Sequence, residues 1–311
     1  MRVFLLVVVL LSYTSVFICV VGKSGNSRLL EKNETTRQHK TFLSSWRRKI
    51  RAGLEDEENR ISHVAMYHTK PGTYYSYGTQ AKIGIWGSPN QRHLQESGTS
   101  ILVTSDELLN FSAIEAGFHV YPNLYNDSNV HFFVHWTKDN YKSTGCVNLI
   151  CKGFVPASGA VLVPGQAVSP TSTYGGEQRY VSLRLNMHPK SGDWLLYRND
   201  NVDKPALLGH FPNDLIPKLS VSAPLVAWCG FTSYPYGEPG PPMGSGHFPD
   251  EDETKGSTIE YIKIFDKTGY AREPLIINDV TPVLDKSDCY RVSDMYYRFV
   301  FFYGGPSGCT G

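Results

Sequence analysis

Tyr180-Val181-Ser182-Leu183-Arg184-Leu185 alternates apolar and polar residues without a break. Successive side chains of a strand point to opposite faces, so a period of two marks a half-buried strand. The same period recurs in Ala81-Lys82-Ile83-Gly84-Ile85-Trp86 and in Ile259-Glu260-Tyr261-Ile262-Lys263-Ile264. Turn signals punctuate the runs: Pro71-Gly72, Asn126-Asp127 and Ser191-Gly192-Asp193. Many short strands with almost no helical periodicity predict an antiparallel all-β sandwich or barrel. No compositional break or internal repeat interrupts residues 61–311, which read as one domain.

Composition agrees. The chain has 311 residues, 28 Gly, 19 Pro, 19 Tyr and 15 Phe, and its apolar fraction of 41% is enough for a sizeable core. The formal net charge of +1 excludes a general nucleic-acid binder, which needs a basic surface to neutralise phosphates.

The first 22 residues read as a signal peptide. Arg2 precedes an apolar run from Val3 to Leu11, a second run closes at Val21, and Gly22 leads into polar residues. An uncleaved anchor helix is the rival reading of such a run. Residues 23–60 form a linker or short pro-segment. Within it Phe42, Trp46, Ile50 and Leu54 make one stripe of a short amphipathic helix, with Arg47, Arg48, Lys49 and Arg51 on the other face.

Of six cysteines, Cys19 leaves with the leader. Cys146 and Cys151 are near neighbours, and Cys289 and Cys309 flank the last strands. In an oxidising compartment two local disulfides are the economical reading, with a metal site as the alternative. Cys229 is left as a buried thiol. Sequons at Asn33, Asn110 and Asn126 fit a secreted glycoprotein.

Three strands could carry chemistry. In Ile114-Glu115-Ala116-Gly117-Phe118-His119-Val120, the even positions make an apolar face and Glu115, Gly117 and His119 make the other. A carboxylate beside a glycine suits a substrate groove, because Gly lets another backbone approach. By itself, though, the strand reads as presenting a solvent-facing Glu. His131 and His135 share a strand face with Phe133, but no third metal ligand is near, and ordinary strand histidines account for them. Cys229 would need a base and a thiolate-stabilising site to act as a nucleophile. There is no phosphate loop, dinucleotide fingerprint, zincin motif or G-x-S-x-G, and nothing in the sequence calls for a cofactor or a metal.

The order of several segments resembles the plant neprosin domain, a family of secreted glutamic prolyl endopeptidases. The resemblance runs through Tyr74–Trp86, Ile114–Pro122, Thr144–Val155, Gly192–Leu196, Leu208–Pro212, Trp228-Cys229-Gly230, Met243–Pro249 and Phe302–Cys309, and so covers about residues 61–311. It implies a β-sandwich of two antiparallel sheets with a substrate groove on one, and the two disulfides already inferred. It also implies a pair of glutamates working at acid pH on peptide or protein substrates, cutting after proline. The first maps to Glu115, on the Glu-Ala-Gly strand. The second follows a Trp-Gly-Gly sequence that here reads Trp228-Cys229-Gly230-Phe231, so Phe231 takes its place and Cys229 takes a groove glycine's. Glu177 and Glu238 do not match that position. An aromatic pair before a proline becomes His210-Phe211, and residues 23–60 show no activation-segment pattern. The expectation is a secreted, extracellular protein of this family, impaired in catalysis. Its alternative is a non-catalytic binder of extended or Pro-rich peptides, with Gly117, His119, Cys229, Phe231 and Tyr234 lining the groove. No nucleic acid is expected as a partner, nor any membrane once the leader is gone.

Overall fold

The computed structural model describes residues 60–70, 75–105, 111–249, 252–274, 279–296 and 298–311. The expected leader, the amphipathic helix of Phe42–Leu54, the turn at Pro71-Gly72, Cys19, Asn33 and Asn110 lie outside these residues. Among them the fold is two antiparallel sheets with one short helix, α1 (Pro122–Tyr125), and a 3-10 turn.

The strands are numbered along the chain. The first sheet has the order β15 (Val280–Leu284), β1 (Arg60–Thr69), β11 (Leu225–Pro235), β3 (Glu96–Thr104), β4 (Ala113–Val120), β5 (His131–Thr137) and β6 (Cys146–Val147). The second runs β12 (Met243–Gly244), β17 (Phe301–Gly305), β13 (Ser257–Phe265), β2 (Gly78–Gly84), β8 (Tyr180–Met187), β9 (Trp194–Arg198), β10 (Ala206–Phe211) and β7 (Val155–Pro156). Two further short strands, β14 (Ala271–Arg272) and β16 (Arg291–Val292), join β13 and β17.

The core lies between the sheets. One rung of the first sheet, Tyr67, Trp228, Ile101, Ala116 and Val134, points inward and meets Ile83, Leu183, Leu196 and Phe301 of the second. Trp228 is fully buried, and its indole N–H donates to the Thr79 hydroxyl across the sandwich at 2.9 Å. A buried Trp needs such a partner for its one polar atom. Trp194 does the same with the Leu219 carbonyl, also at 2.9 Å.

The alternation of β8 holds residue by residue: Val181, Leu183 and Leu185 are buried and their neighbours are not. In β13 it slips. Ile259, Ile262 and Ile264 all reach the core, which a period of two forbids. Tyr261 is an extra residue at φ 53°, and the register with β2 shifts between Glu260 and Lys263. A β-bulge of this kind moves the following side chains to the opposite face. Both inferred disulfides are formed, Cys146–Cys151 and Cys289–Cys309.

Candidate functional site

The outer face of the first sheet carries Glu115, Gly117 and His119, as their alternation with Ile114, Ala116 and Phe118 requires. Rung by rung, Glu115 stands between Leu102 and His135, Gly117 between Ser100 and Phe133, and His119 between Gly98 and His131. Beyond β3, Cys229 pairs with Ser100 and Phe231 with Gly98. Four of the proposed groove residues and Glu115 therefore share one face. Tyr234 does not. It lies three positions past Phe231, on the core side, where its hydroxyl meets His63 Nε2 at 2.9 Å.

This face is not open to solvent. Glu115 is 1% exposed, and Ser100 Oγ donates to its Oε1 at 2.6 Å. Phe231 stands two rungs from Glu115, roughly 13 Å along the strands at ordinary strand rise. Its ring crosses Gly98, where an added Cβ would sit 2.6 Å from Phe231 Cζ. It then meets Phe133 edge-on, centroids 6.0 Å apart. Gly117 lies beside this crossing, and a Cβ there would run into the Thr99 carbonyl and Ser100. Gly98 thus leaves a furrow in the sheet, and Phe231 fills it with Phe133.

A polar chain occupies the far end of the face. Glu96 is buried, and its Oε1 is 2.7 Å from His119 Nδ1. His119 Nε2 is 2.8 Å from the Tyr125 hydroxyl, which itself accepts from Asn148 Nδ2 at 2.8 Å. Each bond is satisfied when Tyr125 gives its proton to Nε2 and Nδ1–H donates to Glu96. Burial pushes the Tyr125 phenol well above its ordinary range. His119 stacks on Phe133 at 4.2 Å, and Tyr125 stacks on His131 at 3.7 Å. His131 lies 2.9 Å from Asp127 and 2.7 Å from the Gly165 carbonyl, both acceptors. Slight burial raises the Asp127 carboxyl, but the bonds from His131 and Asn129 outweigh it and hold it low. His135 leans on the Tyr141 ring instead. Among the described residues, no three His, Cys, Asp or Glu gather as a metal site.

The remaining candidates are dispersed. Cys229 is a buried thiol outside both disulfides. Glu177 pairs with Arg179 at 2.6 Å and Glu238 with Arg92 at 3.8 Å, both away from Glu115's strands. Asn126 is exposed at the end of α1. Sequence reading missed Ser100 and the Glu96–His119 pair. Both depend on the β3–β4 register, which no local pattern encodes, whereas parity along β11 already separates Tyr234 from Phe231.

The chain matches the Neprosin family model over residues 93–306. Among solved structures it is similar to scytalido-glutamic peptidase with a peptide-based transition-state analog. That match has 8% identity and a TM-score of 0.39, and covers 80% of this chain and 98% of that one. It is also similar to the same peptidase with a transition-state analog inhibitor, at 7% identity and TM-score 0.40, with the same coverage.

Proposed function

The chain belongs to the Neprosin family, and from that premise we propose that it is a secreted glutamic-peptidase relative impaired in catalysis. Glu115 is the surviving carboxylate of the pair, and Phe231 stands where the second is expected. A glutamic dyad divides labour: one carboxylate activates water, and the other, protonated, donates to the leaving amine. A phenyl ring does neither. Loss of one such group typically costs about 10²–10⁴ in rate, and more where two act as a unit. The observation that carries the reading is the Phe231 ring, buried across Gly98 against Phe133, so that the position matching the second glutamate presents no group able to transfer a proton. Secretion is supported by the two disulfides, the leader-like N-terminus and an exposed Asn126 sequon.

The same observation favours a second reading. Phe231, Phe133 and His119 form a continuous aromatic strip, almost fully buried, that would take an extended or Pro-rich peptide without cleavage only once it is uncovered.

The test is cleavage of a Pro-rich reporter peptide from about pH 3 to 7 by wild type, Glu115→Gln and Phe231→Glu. The expected result is no wild-type turnover, with activity appearing in Phe231→Glu. Wild-type turnover abolished by Glu115→Gln would overturn the impairment and assign Glu115 a different partner.

A further inference from the structure

A cavity of about 460 Å³ opens at one end of the second sheet, and none of its lining residues belongs to the strands that carry Glu115. Its walls are the end of β8, the 188–192 turn and the 266–269 turn. Arg184 reaches into it from the outer side of β8. The guanidinium lies 4.6 Å over the Phe265 ring and 5.5 Å from Tyr197, and its Nε donates to Asn186 Oδ1 at 2.8 Å. Stacking and this bond fix the plane of the fork. Arg184 forms no ion pair among the described residues. Burial lowers the pKa of this half-buried cation, a desolvation that a bound anion would offset.

Two further cations, Lys190 and Lys267, stand exposed on the two turns. Among the described residues, the cavity's one carboxylate, Asp266, offsets only one of the three positive charges. Asp266 Oδ1 is engaged in its own turn, accepting from Thr268 N, Thr268 Oγ1 and Tyr270 N at 2.8, 2.7 and 3.0 Å. The site therefore offers a pre-oriented guanidinium within a positive rim. Ligand cavities of this volume are ordinarily walled by apolar side chains. Here apolar surface from Tyr77, Met187 and Phe265 alternates with Asn, Ser and Thr side chains and charged residues, a mixture that suits the apolar ring face and the hydroxyls of a sugar.

We propose that this cavity binds a carboxylate-bearing saccharide of the uronic-acid class, its carboxylate held by Arg184 and flanked by Lys190 and Lys267. The site is independent of the peptidase reading.

The test is isothermal titration of the full chain with a galacturonic acid trimer, a neutral galactose trimer and a triglutamate peptide. The acidic trimer is expected to bind, and the neutral trimer to bind at least about ten-fold more weakly. Arg184→Met should lose about ten-fold or more, as expected for a charge-assisted pair, with Arg184→Lys intermediate. The Lys190→Glu/Lys267→Glu variant changes only exposed turn residues. It should weaken binding several-fold, and wild-type affinity should fall with added salt. Absence of acidic-trimer binding, or binding unchanged in both Arg184→Met and the lysine variant, would overturn the proposal. So would tighter binding of triglutamate, which would reassign the cavity to acidic peptides.

Discussion

If the Phe231 ring owns the space above Gly98, then Phe231→Ala and Gly98→Ala must be energetically coupled. Phe231 is 3% exposed, so its truncation removes a full aromatic burial and leaves a cavity, at about 3–5 kcal/mol. Gly98→Ala fails for a different reason. Its Cβ would lie 2.6 Å from Phe231 Cζ, 2.7 Å from His119 Cβ and 2.8 Å from the Phe118 carbonyl. Overpacking of this kind costs about 1–3 kcal/mol. With the ring gone, the shortest of the three contacts disappears and the cavity takes up part of the methyl. The other two contacts are anchored to the backbone of β4 and remain. Relief is therefore partial, about 1 kcal/mol or more of favourable coupling. Urea denaturation of the four proteins, disulfides intact, measures it, provided the slope against denaturant is the same in all. Additivity within about 0.5 kcal/mol would refute the filled furrow and with it the main support for impaired catalysis.

Two other outcomes follow from buried and capping carboxylates. Asp285 accepts from Val64 N at 2.9 Å and pairs with His63 Nδ1 at 2.9 Å, both side chains almost fully buried. Asp285→Ala leaves His63 Nδ1 and Val64 N without their buried acceptor and should cost about 3–5 kcal/mol by denaturant titration, while a loss under about 1 kcal/mol would dismiss the pair. Asp139 ties the loop before Cys146, accepting from Ser143 and Thr144 through main-chain and side-chain donors. Slight burial raises its carboxyl, but these bonds outweigh it and bring it down to about 2. The folded value lies below the unfolded one, so the stabilisation is present above about pH 4 and is lost as pH falls toward 2. Asp139→Asn should flatten that part of the stability–pH curve, and curves parallel to wild type would rule the cap out.

The sheet architecture was largely legible because solvent and core impose opposite demands on alternate residues, as β8 shows. Where one residue is inserted, as at Tyr261 in β13, Ile259 and Ile262 fall on opposite parity, but parity alone does not say which residue is the extra one. The inward face of β4 was legible too. Its outer face misled: from the strand alone Glu115 reads as solvent-facing, yet it is buried, as is His119 beside it. Polar residues can line a buried layer when partners satisfy them, and those partners, Ser100 and Glu96, come from β3 through register alone.

That register also bears on what restoring a carboxylate would do. Phe231 pairs with Gly98, so Glu96, two residues along β3, is its diagonal neighbour on the same face, about 7–8 Å away by ordinary sheet geometry. A glutamate at 231 would enter a buried layer next to a carboxylate already engaged with His119. Burial and the like charge would both raise its pKa, favouring the protonated form a proton donor needs. Phe231→Glu thus makes two changes together: it empties the furrow and supplies an acid. Phe231→Ala makes only the first. If emptying alone improves peptide binding without turnover while Glu brings turnover, the ring was an obstruction and the missing acid was the chemical deficit. If Ala and Glu behave alike, the furrow's shape is what matters, and the protein is better understood as a binder.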